Sequence, residues 1–321
     1  MIGKKGKLLI LLYLIFLVIL FLMCSTDLII REPEKEVYEV AVIIEDAGDD
    51  NYGNFRKGMD QAAIELNADV RFITLYEKLD AEQQMELIER ERQDGVDALI
   101  VAPVDNDRVL SALSGMQGNT QVLILDTEAG EEKTAGRIVI DYRAMGSLMA
   151  AKIKEHMPEG GFVLLLEESG QSAAGAGFLE GASSVLESDG FDCRVLCPGG
   201  EEECREMLET LPEGGAVILA GSPEILLRMV DVLEKYPGLS ARVKGLYGRG
   251  STLAVLDDLD SGLIDGLCVT DEFSRGYFSV CMAIEALEGK TPREALVLDS
   301  YYIEKKNLRD PEYEKMLYPM E

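Results

Sequence analysis

Histidine is almost missing from this chain: among 321 residues, His156 stands alone. A single imidazole excludes a Ser-His-Asp nucleophile set and any metal site built on several histidines. Its place at the end of a helical segment, just before Pro158, suits a structural role in which its charge meets the helix dipole. Basic residues are scarce beside acidic ones, 31 Lys and Arg against 59 Asp and Glu, a net charge of −28. That excludes general nucleic-acid binding, which needs clustered cations. It describes instead a solvated, soluble surface. No strand is followed by Gly-x-Gly-x-x-Gly, and Gly170–Gly177 lacks that spacing, so no cofactor is expected. Asp46-x-Gly48-x-Asp50 starts like a calcium loop but lacks its Gly position and closing Glu, so no metal is expected. Carboxylate pairs such as Glu167-Glu168 are too common in so acidic a chain to single out a glycosidase acid and nucleophile. The six cysteines are Cys24, Cys193, Cys197, Cys204, Cys268 and Cys281. A Cys197–Cys204 bridge is conceivable, zinc would lack a fourth ligand, and free buried thiols are the expectation.

One long apolar run is present. Lys4, Lys5 and Lys7 precede Leu8–Met23, and Cys24 follows. Sixteen apolar residues fall just short of the ~17–25 of a spanning helix. No small-x-small cleavage site is evident. The lysines favour a cytoplasmic N-terminus with the body outside. Two readings stay open. The segment is a retained anchor, extendable through Leu28-Ile29-Ile30 at the cost of burying Asp27. Alternatively Cys24 is lipidated, although Leu22-Met23 stands where a lipobox carries small residues. Residues 1–30 are thus a membrane anchor or signal segment that meets the membrane through residues 8–23. Residues 31–38 are a charged linker, and the body is expected on the extracytoplasmic side of the cell membrane.

The body begins with Val40-Ala41-Val42-Ile43-Ile44, a short apolar run that reads as a strand buried on both faces. A polar loop, Glu45–Asn54, leads to a helix over Gly58–Leu66 and a second strand, Val70–Ile73. Strand, helix, strand makes a βαβ unit, and ligands meet such sheets at the carboxyl ends of their strands. Further apolar runs at Asp97–Pro103, Gln121–Thr127 and Ile138–Asp141 alternate with helical stretches at Gln83–Arg92, Val109–Met116 and Ala144–His156. The pattern then restarts. Leu165-Leu166-Glu167-Glu168 repeats Ile43-Ile44-Glu45-Asp46 122 residues later, which points to two lobes of similar fold in tandem. The second half continues with strands at Ala216–Ser222, Val243–Gly248, Ile264–Thr270 and Leu296–Ile303. Helices are expected at Gly181–Leu186, Glu224–Tyr236, Thr252–Leu259 and Tyr277–Leu287. Lys305–Glu321 reads as a polar tail.

Several stretches in this order carry a family likeness: Asn51-Tyr52-Gly53-Asn54-Phe55 before Gly58; Asp94–Pro103; Val122–Asp126; Ile140-Asp141-Tyr142 before Gly146; Gly262–Gly266; and Ala286–Lys290. With them, residues Val37 to Ile303 resemble the type I periplasmic binding proteins, the ribose- and galactose-binding class. The resemblance implies an α/β fold of two Rossmann-like lobes, each a parallel sheet flanked by helices, joined by a three-segment hinge, here with an N-terminal membrane helix. It puts the N-terminal lobe at 37–140 plus 271–297, the C-terminal lobe at 141–270 plus 298–305, and a tail at 306–321. Asp141, Asp271 and Leu298 become the hinge positions.

The pocket departs from the sugar-binding pattern. Asp126-Thr127 replaces Asp-Arg, the loop Ser172–Phe178 has no Arg, and Ser222-Pro223 replaces Asn-Asp. A sugar needs planar charged groups for paired hydroxyls and rings for its faces. Tyr52, Phe55 and Tyr247 offer rings. Asp49, Asn51, Asp126, Thr127, Ser172, Ser222 and Thr270 offer hydrogen bonds, and Glu45 and Asp50 add acidity. Each also suits a solvated loop or a helix cap. The resemblance implies a receptor that closes on a small polar, sugar-like ligand and serves an ABC permease. A sensor working with a histidine kinase is the second reading. A carbohydrate-active enzyme is a third, against which the lone histidine argues.

Overall fold

The computed structural model of the chain describes residues 4–25, 37–115, 120–126, 134–157, 160–168, 172–212, 215–290 and 295–319. The N-terminal unit is one helix, α1 (Lys4–Ser25). Its stretch Lys5–Met23 is long and apolar enough to cross a membrane. The expected run therefore continues through Cys24 without a break in the helix.

The body, from Tyr38 on, holds two six-stranded sheets. The chain runs β1 (Tyr38–Ile43), α2 (Gly53–Leu66), β2 (Ala68–Ile73), α3 (Ala81–Asp94), β3 (Ala98–Val101), α4 (Asn106–Gly115), β4 (Gln121–Leu125) and β5 (Gly136–Ile140). It continues with α5 (Tyr142–His156), β6 (Phe162–Leu166), α6 (Ala173–Ser188), β7 (Asp192–Leu196), α7 (Glu201–Glu209), β8 (Ala216–Ala220), α8 (Pro223–Lys235), β9 (Val243–Arg249), α9 (Leu253–Ser261) and β10 (Gly266–Thr270). It ends with α10 (Glu272–Leu287), β11 (Leu296–Leu298), β12 (Ser300–Ile303) and α11 (Pro311–Leu317). The first sheet has the order β11-β5-β4-β3-β1-β2 and the second β12-β10-β9-β8-β6-β7. All pairings are parallel except β10 with β12. Helices cover both faces of each sheet, which is why the Val, Ile and Leu runs of β1, β3 and β8 carry no solvent-facing residue.

The chain passes between lobes three times: after Ile140, after Thr270, and between Leu298 and Ser300. Leu296–Ile303 is thus two strands rather than the single strand expected from the sequence. At Asp299 the chain leaves a parallel pairing with β5 in one sheet and enters an antiparallel pairing with β10 in the other.

Each lobe packs one pair of helices through paired glycines. Helix α2 crosses α10 where Gly58 and Gly276 lie against backbone: a Cβ on either would stand 1.9 Å from the Phe273 or Phe55 carbonyl oxygen. In the other lobe α6 crosses α5 through Gly181 and Gly146 in the same way. Only glycine permits such close helix approach.

Two local expectations are corrected. Ser172–Phe178 is a loop only at Ser172; its small residues enter α6, whose N-cap is Ser172. The segment after Lys305 is not a free polar tail. Leu308 and Leu317 are buried in the second lobe's core, with Tyr313, Met316 and Tyr318 packed around them. Few apolar anchors dispersed among charges conceal that docking in the sequence.

Candidate ligand-binding cleft

The strand tips of both lobes enclose a cavity of about 110 Å³. Its deepest contacts gather around one guanidinium. Asp126 follows β4 in a left-handed conformation, φ +59°, one that costs free energy yet that Asp tolerates better than most residues. It pairs with Arg275 from α10. Arg275 also holds Glu272 Oε2 at 2.9 Å, and the Thr270 hydroxyl donates to Glu272 Oε1 at 2.7 Å. The Arg275 side chain is 6% exposed and lies over the rings of Phe55 and Tyr52. Glu45, just after β1, accepts a 2.8 Å hydrogen bond from the Tyr52 hydroxyl. Arg249, at the tip of β9, donates from Nε to the Gly221 carbonyl at 2.7 Å and stacks over Tyr142.

The carboxyls here are shifted by this crowding. Burial raises Asp126, Arg275 pulls it back in part, and Glu272 raises it again. Burial also raises Glu45, and the charge of Asp126 adds to it. Arg275 is itself opposed by burial, but Asp126 and Glu272 hold it charged. Tyr142 also helps to hold the Asp126 carboxyl down, while Asp126 Oδ1, an acceptor, and Arg275 Nε, a donor, make no hydrogen bond within the protein. Both belong to residues lining the cavity.

Nearer the mouth, side chains bridge the two lobes. Lys78 donates to Glu168 at 3.1 Å and to Glu224 at 2.9 Å. Asn51 donates to Glu224 at 2.7 Å and to Asp46 at 3.2 Å. Burial pushes the Glu224 carboxyl up, but the hydrogen bond and charge of Lys78 outweigh it and hold it at about 2. Lys78 is set in place by Leu79, left-handed at φ +62°, whose N–H donates to the Glu45 carbonyl at 2.9 Å. Two serines cap helices at the cavity wall: Ser172 accepts from the Gly175 N–H, and Ser222 accepts from the Ile225 N–H while donating to Glu168 at 3.2 Å. Among the described residues, no group of three or more His, Cys, Asp and Glu has a geometry that holds a metal.

This two-lobed architecture and its cleft have a family. Residues 40–291 match the periplasmic binding protein domain. The chain belongs to the periplasmic binding protein family. Its two parallel-sheet lobes and triple crossing are the type I fold of that family. Solved structures share the fold at low identity. The glucose-galactose binding protein GanP from Geobacillus stearothermophilus aligns at 18% identity and TM-score 0.69, covering 86% of this chain and 100% of that one. An ABC transporter solute-binding protein from Bacillus halodurans with bound myo-inositol aligns at 20% and 0.74, covering 88% and 99%. One from Burkholderia graminis in complex with D-arabinose aligns at 16% and 0.75, covering 86% and 98%. No curated protein matches the chain.

Of the residues expected at this binding-protein cleft, Glu45, Asn51, Tyr52, Asp126, Ser172, Ser222 and Thr270 line the cavity. Thr127 lies outside the described residues, and nothing is described of the Cys24 side chain. Tyr247 does not reach the cavity. Strand β9 runs through Arg249, one residue further than expected, so Tyr247 lies inside the strand, buried in the core with its hydroxyl 3.1 Å from His156 Nδ1, and Arg249 takes the tip. Burial raises the Tyr247 phenol to about 12. Asp49 points away from the cavity and pairs with Arg56 at the surface. Phe55 is fully buried against Arg275 and offers no face to a ligand. Asp50 borders a larger outer chamber rather than this cavity. The five body cysteines are free, Cys204 and Cys268 buried and Cys197 exposed.

The crossing residues Asp141 and Asp271 are helix N-caps with matching backbones (φ −79°, ψ 86° and φ −78°, ψ 86°), and Leu298 ends β11. Sequence reasoning missed Lys78, Tyr142, Glu168, Glu224, Arg249, Glu272 and Arg275. A signal existed for some of them. Asp141 and Asp271 each precede a glycine by five residues, and the first and fourth residues after each Asp (Tyr142 and Met145; Glu272 and Arg275) line the cavity.

Proposed function

We propose that this chain is a membrane-tethered, extracytoplasmic solute-binding protein that clamps a small hydroxylated, carbohydrate-type ligand between its lobes for delivery to an ABC importer. One observation carries the ligand class. Two residues that line the cavity each keep a buried polar atom that makes no hydrogen bond within the protein: an acceptor, Asp126 Oδ1, and a donor, Arg275 Nε. A hydroxyl group answers both, because it donates and accepts at once. Leaving either unpaired costs about 1–3 kcal/mol. The planar groups that the sugar-binding pattern places after β4 and in the Ser172 loop come here from other elements, Arg275 and Arg249. The solved relatives with bound arabinose and myo-inositol agree with this chemistry.

In this reading Glu45, Asn51, Tyr52, Ser172, Ser222 and Thr270 also contact the ligand. Asp141, Asp271 and Leu298 flex as the hinge, and the Lys78 and Asn51 bridges to the far lobe hold the closed form. In this reading the protein binds its ligand without turning it over, as the match of residues 40–291 to the periplasmic binding protein domain supports. Helix α1 supports tethering at the cell membrane. A continuous helix through Cys24 also favours a second reading, a fixed sensor that presents the closed form to a histidine kinase.

The test is calorimetric titration of the full chain in phospholipid nanodiscs with free pentoses, hexoses, inositols, amino acids and short peptides. Saturable binding of a sugar or polyol, unchanged on recovery, is expected. At ~100 times Kd it adds about 2.7 kcal/mol to stability. Binding confined to amino acids or peptides contradicts the reading.

A further inference from the structure

The cavity of about 110 Å³ does not end at the interlobe bridges. Beyond Lys78 it continues into an outer chamber of about 980 Å³, and Asp46, Asn51, Lys78, Glu168 and Glu224 line both. The two spaces differ in chemistry. The inner one is walled by charged and hydroxyl-bearing side chains together with Met145, Ala174 and Val269. The outer one is walled on the second lobe by Leu227, Leu253 and Ala254, and on the C-terminal segment by Leu317, Tyr318 and Pro319. Polar side chains of α2 border it, but two are already engaged: Asn54 donates to the Leu317 carbonyl at 2.9 Å and Lys57 to the Pro319 carbonyl at 3.2 Å. Those bonds draw the C-terminal segment, rooted in the second lobe by Leu308 and Leu317, across to the first lobe. Leu253, the first residue of α9, stands 68% exposed beside this chamber. An exposed apolar wall at a binding cleft marks a contact waiting for an apolar partner.

We propose that the ligand is a glycoside with an apolar aglycone rather than a free sugar. Its hydroxylated ring sits in the inner cavity against Asp126 and Arg275. Its aglycone passes the Lys78 bridge and rests on Leu227, Leu253 and the C-terminal segment. The proposal rests on reading the inner cavity as a carbohydrate site. Size favours it too. Ligand pockets run to roughly 300–1,000 Å³, which the inner cavity alone does not reach. Ser251, Thr252 and Glu272 also border the outer chamber, at its junction with the inner cavity, while Leu227, Leu253 and Ala254 give a second sugar ring nothing to hydrogen-bond.

Matched pairs of probes separate the possibilities: methyl and phenyl β-D-glucoside, methyl and phenyl β-D-galactoside, and the free sugars, titrated into the full chain in phospholipid nanodiscs without glycosidic detergent. The phenyl glycoside is expected to bind at least about tenfold tighter than its methyl partner, the gain from burying an aromatic ring. Leu253→Asp, at an exposed position that folding does not need, is expected to bring that ratio near one. Equal affinities, or binding of free sugars alone, overturn the proposal and leave the solute-binding reading intact. A phenyl preference that survives Leu253→Asp overturns the placement of the aglycone. Failure of every free sugar and glycoside to bind overturns both.

Discussion

At the scale of single residues, the cleft is governed by how few cations serve its carboxylates. Arg275 compensates both Asp126 and Glu272 in a nearly water-free position. Removing one partner of such a group leaves uncompensated buried charge and costs about 3–5 kcal/mol. Arg275→Met is therefore expected to lower the urea midpoint of the body sharply. Adding Asp126→Asn to it is expected to restore part of the loss. Glu45 behaves in the opposite sense. Its carboxyl is raised in the fold, so the folded state holds that proton more tightly than the unfolded chain does. Its contribution is fully present below the ordinary carboxylate range and is lost as pH rises through the raised value. Glu45→Gln keeps an acceptor for the Tyr52 hydroxyl without the charge. It is expected to be more stable than the parent at pH 7 and to show a smaller gain in stability between pH 7 and pH 5, as read by urea unfolding at the two values. These residues were unequally legible in the sequence. Asp126 and Tyr52 stood out because polar groups at strand ends meet ligands. Arg275 did not, because it lies 149 residues from Asp126, and only the helix entry at Asp271 brings the two together.

At the scale of elements, the strands and most helices were readable because parallel strands covered on both faces leave unbroken Val, Ile and Leu runs. The errors fell at the ends of elements. Strand β9 ends at Arg249 rather than at the expected Gly248, and that exchanged an expected ring for a guanidinium at the cleft. The C-terminal segment was misread because a short helix with a few apolar anchors has no periodic signature. The pair of glycine crossings is visible only in the packing. Gly181→Ala forces a Cβ to within 2.1 Å of the Arg143 carbonyl oxygen and is expected to cost about 3 kcal/mol. Gly53→Ala, with no atom near its added Cβ and a helical backbone, is expected to be neutral or to stabilise by about 0.5–1 kcal/mol. Thermal unfolding of the two variants checks the contrast. Equal melting temperatures would show that the helix crossings tolerate side chains.

At the scale of the whole molecule, two lobes built alike meet at a charged seam, and the proposed function makes that seam the control on how long a ligand stays. Lys78 is the cation that joins Glu168 and Glu224 of the far lobe to the near one. Lys78→Met leaves those carboxylates facing each other, and it is expected to raise the ligand dissociation rate several-fold in stopped-flow measurements while the melting temperature of the unliganded protein moves little. Acid acts in the same direction. Glu224 is held low by Lys78, so the bridge is intact above the ordinary carboxylate range and is lost as pH falls from there towards about 2. The central claim is that a hydroxylated ligand completes the buried pair at the floor of this seam. The most direct measurement is a crystal structure of the chain grown with a carbohydrate ligand that binds it. The account predicts a ring hydroxyl within hydrogen-bonding distance of both Asp126 Oδ1 and Arg275 Nε, with both lobes touching the ligand. A ligand held elsewhere, with that acceptor and that donor still unpaired, would contradict it.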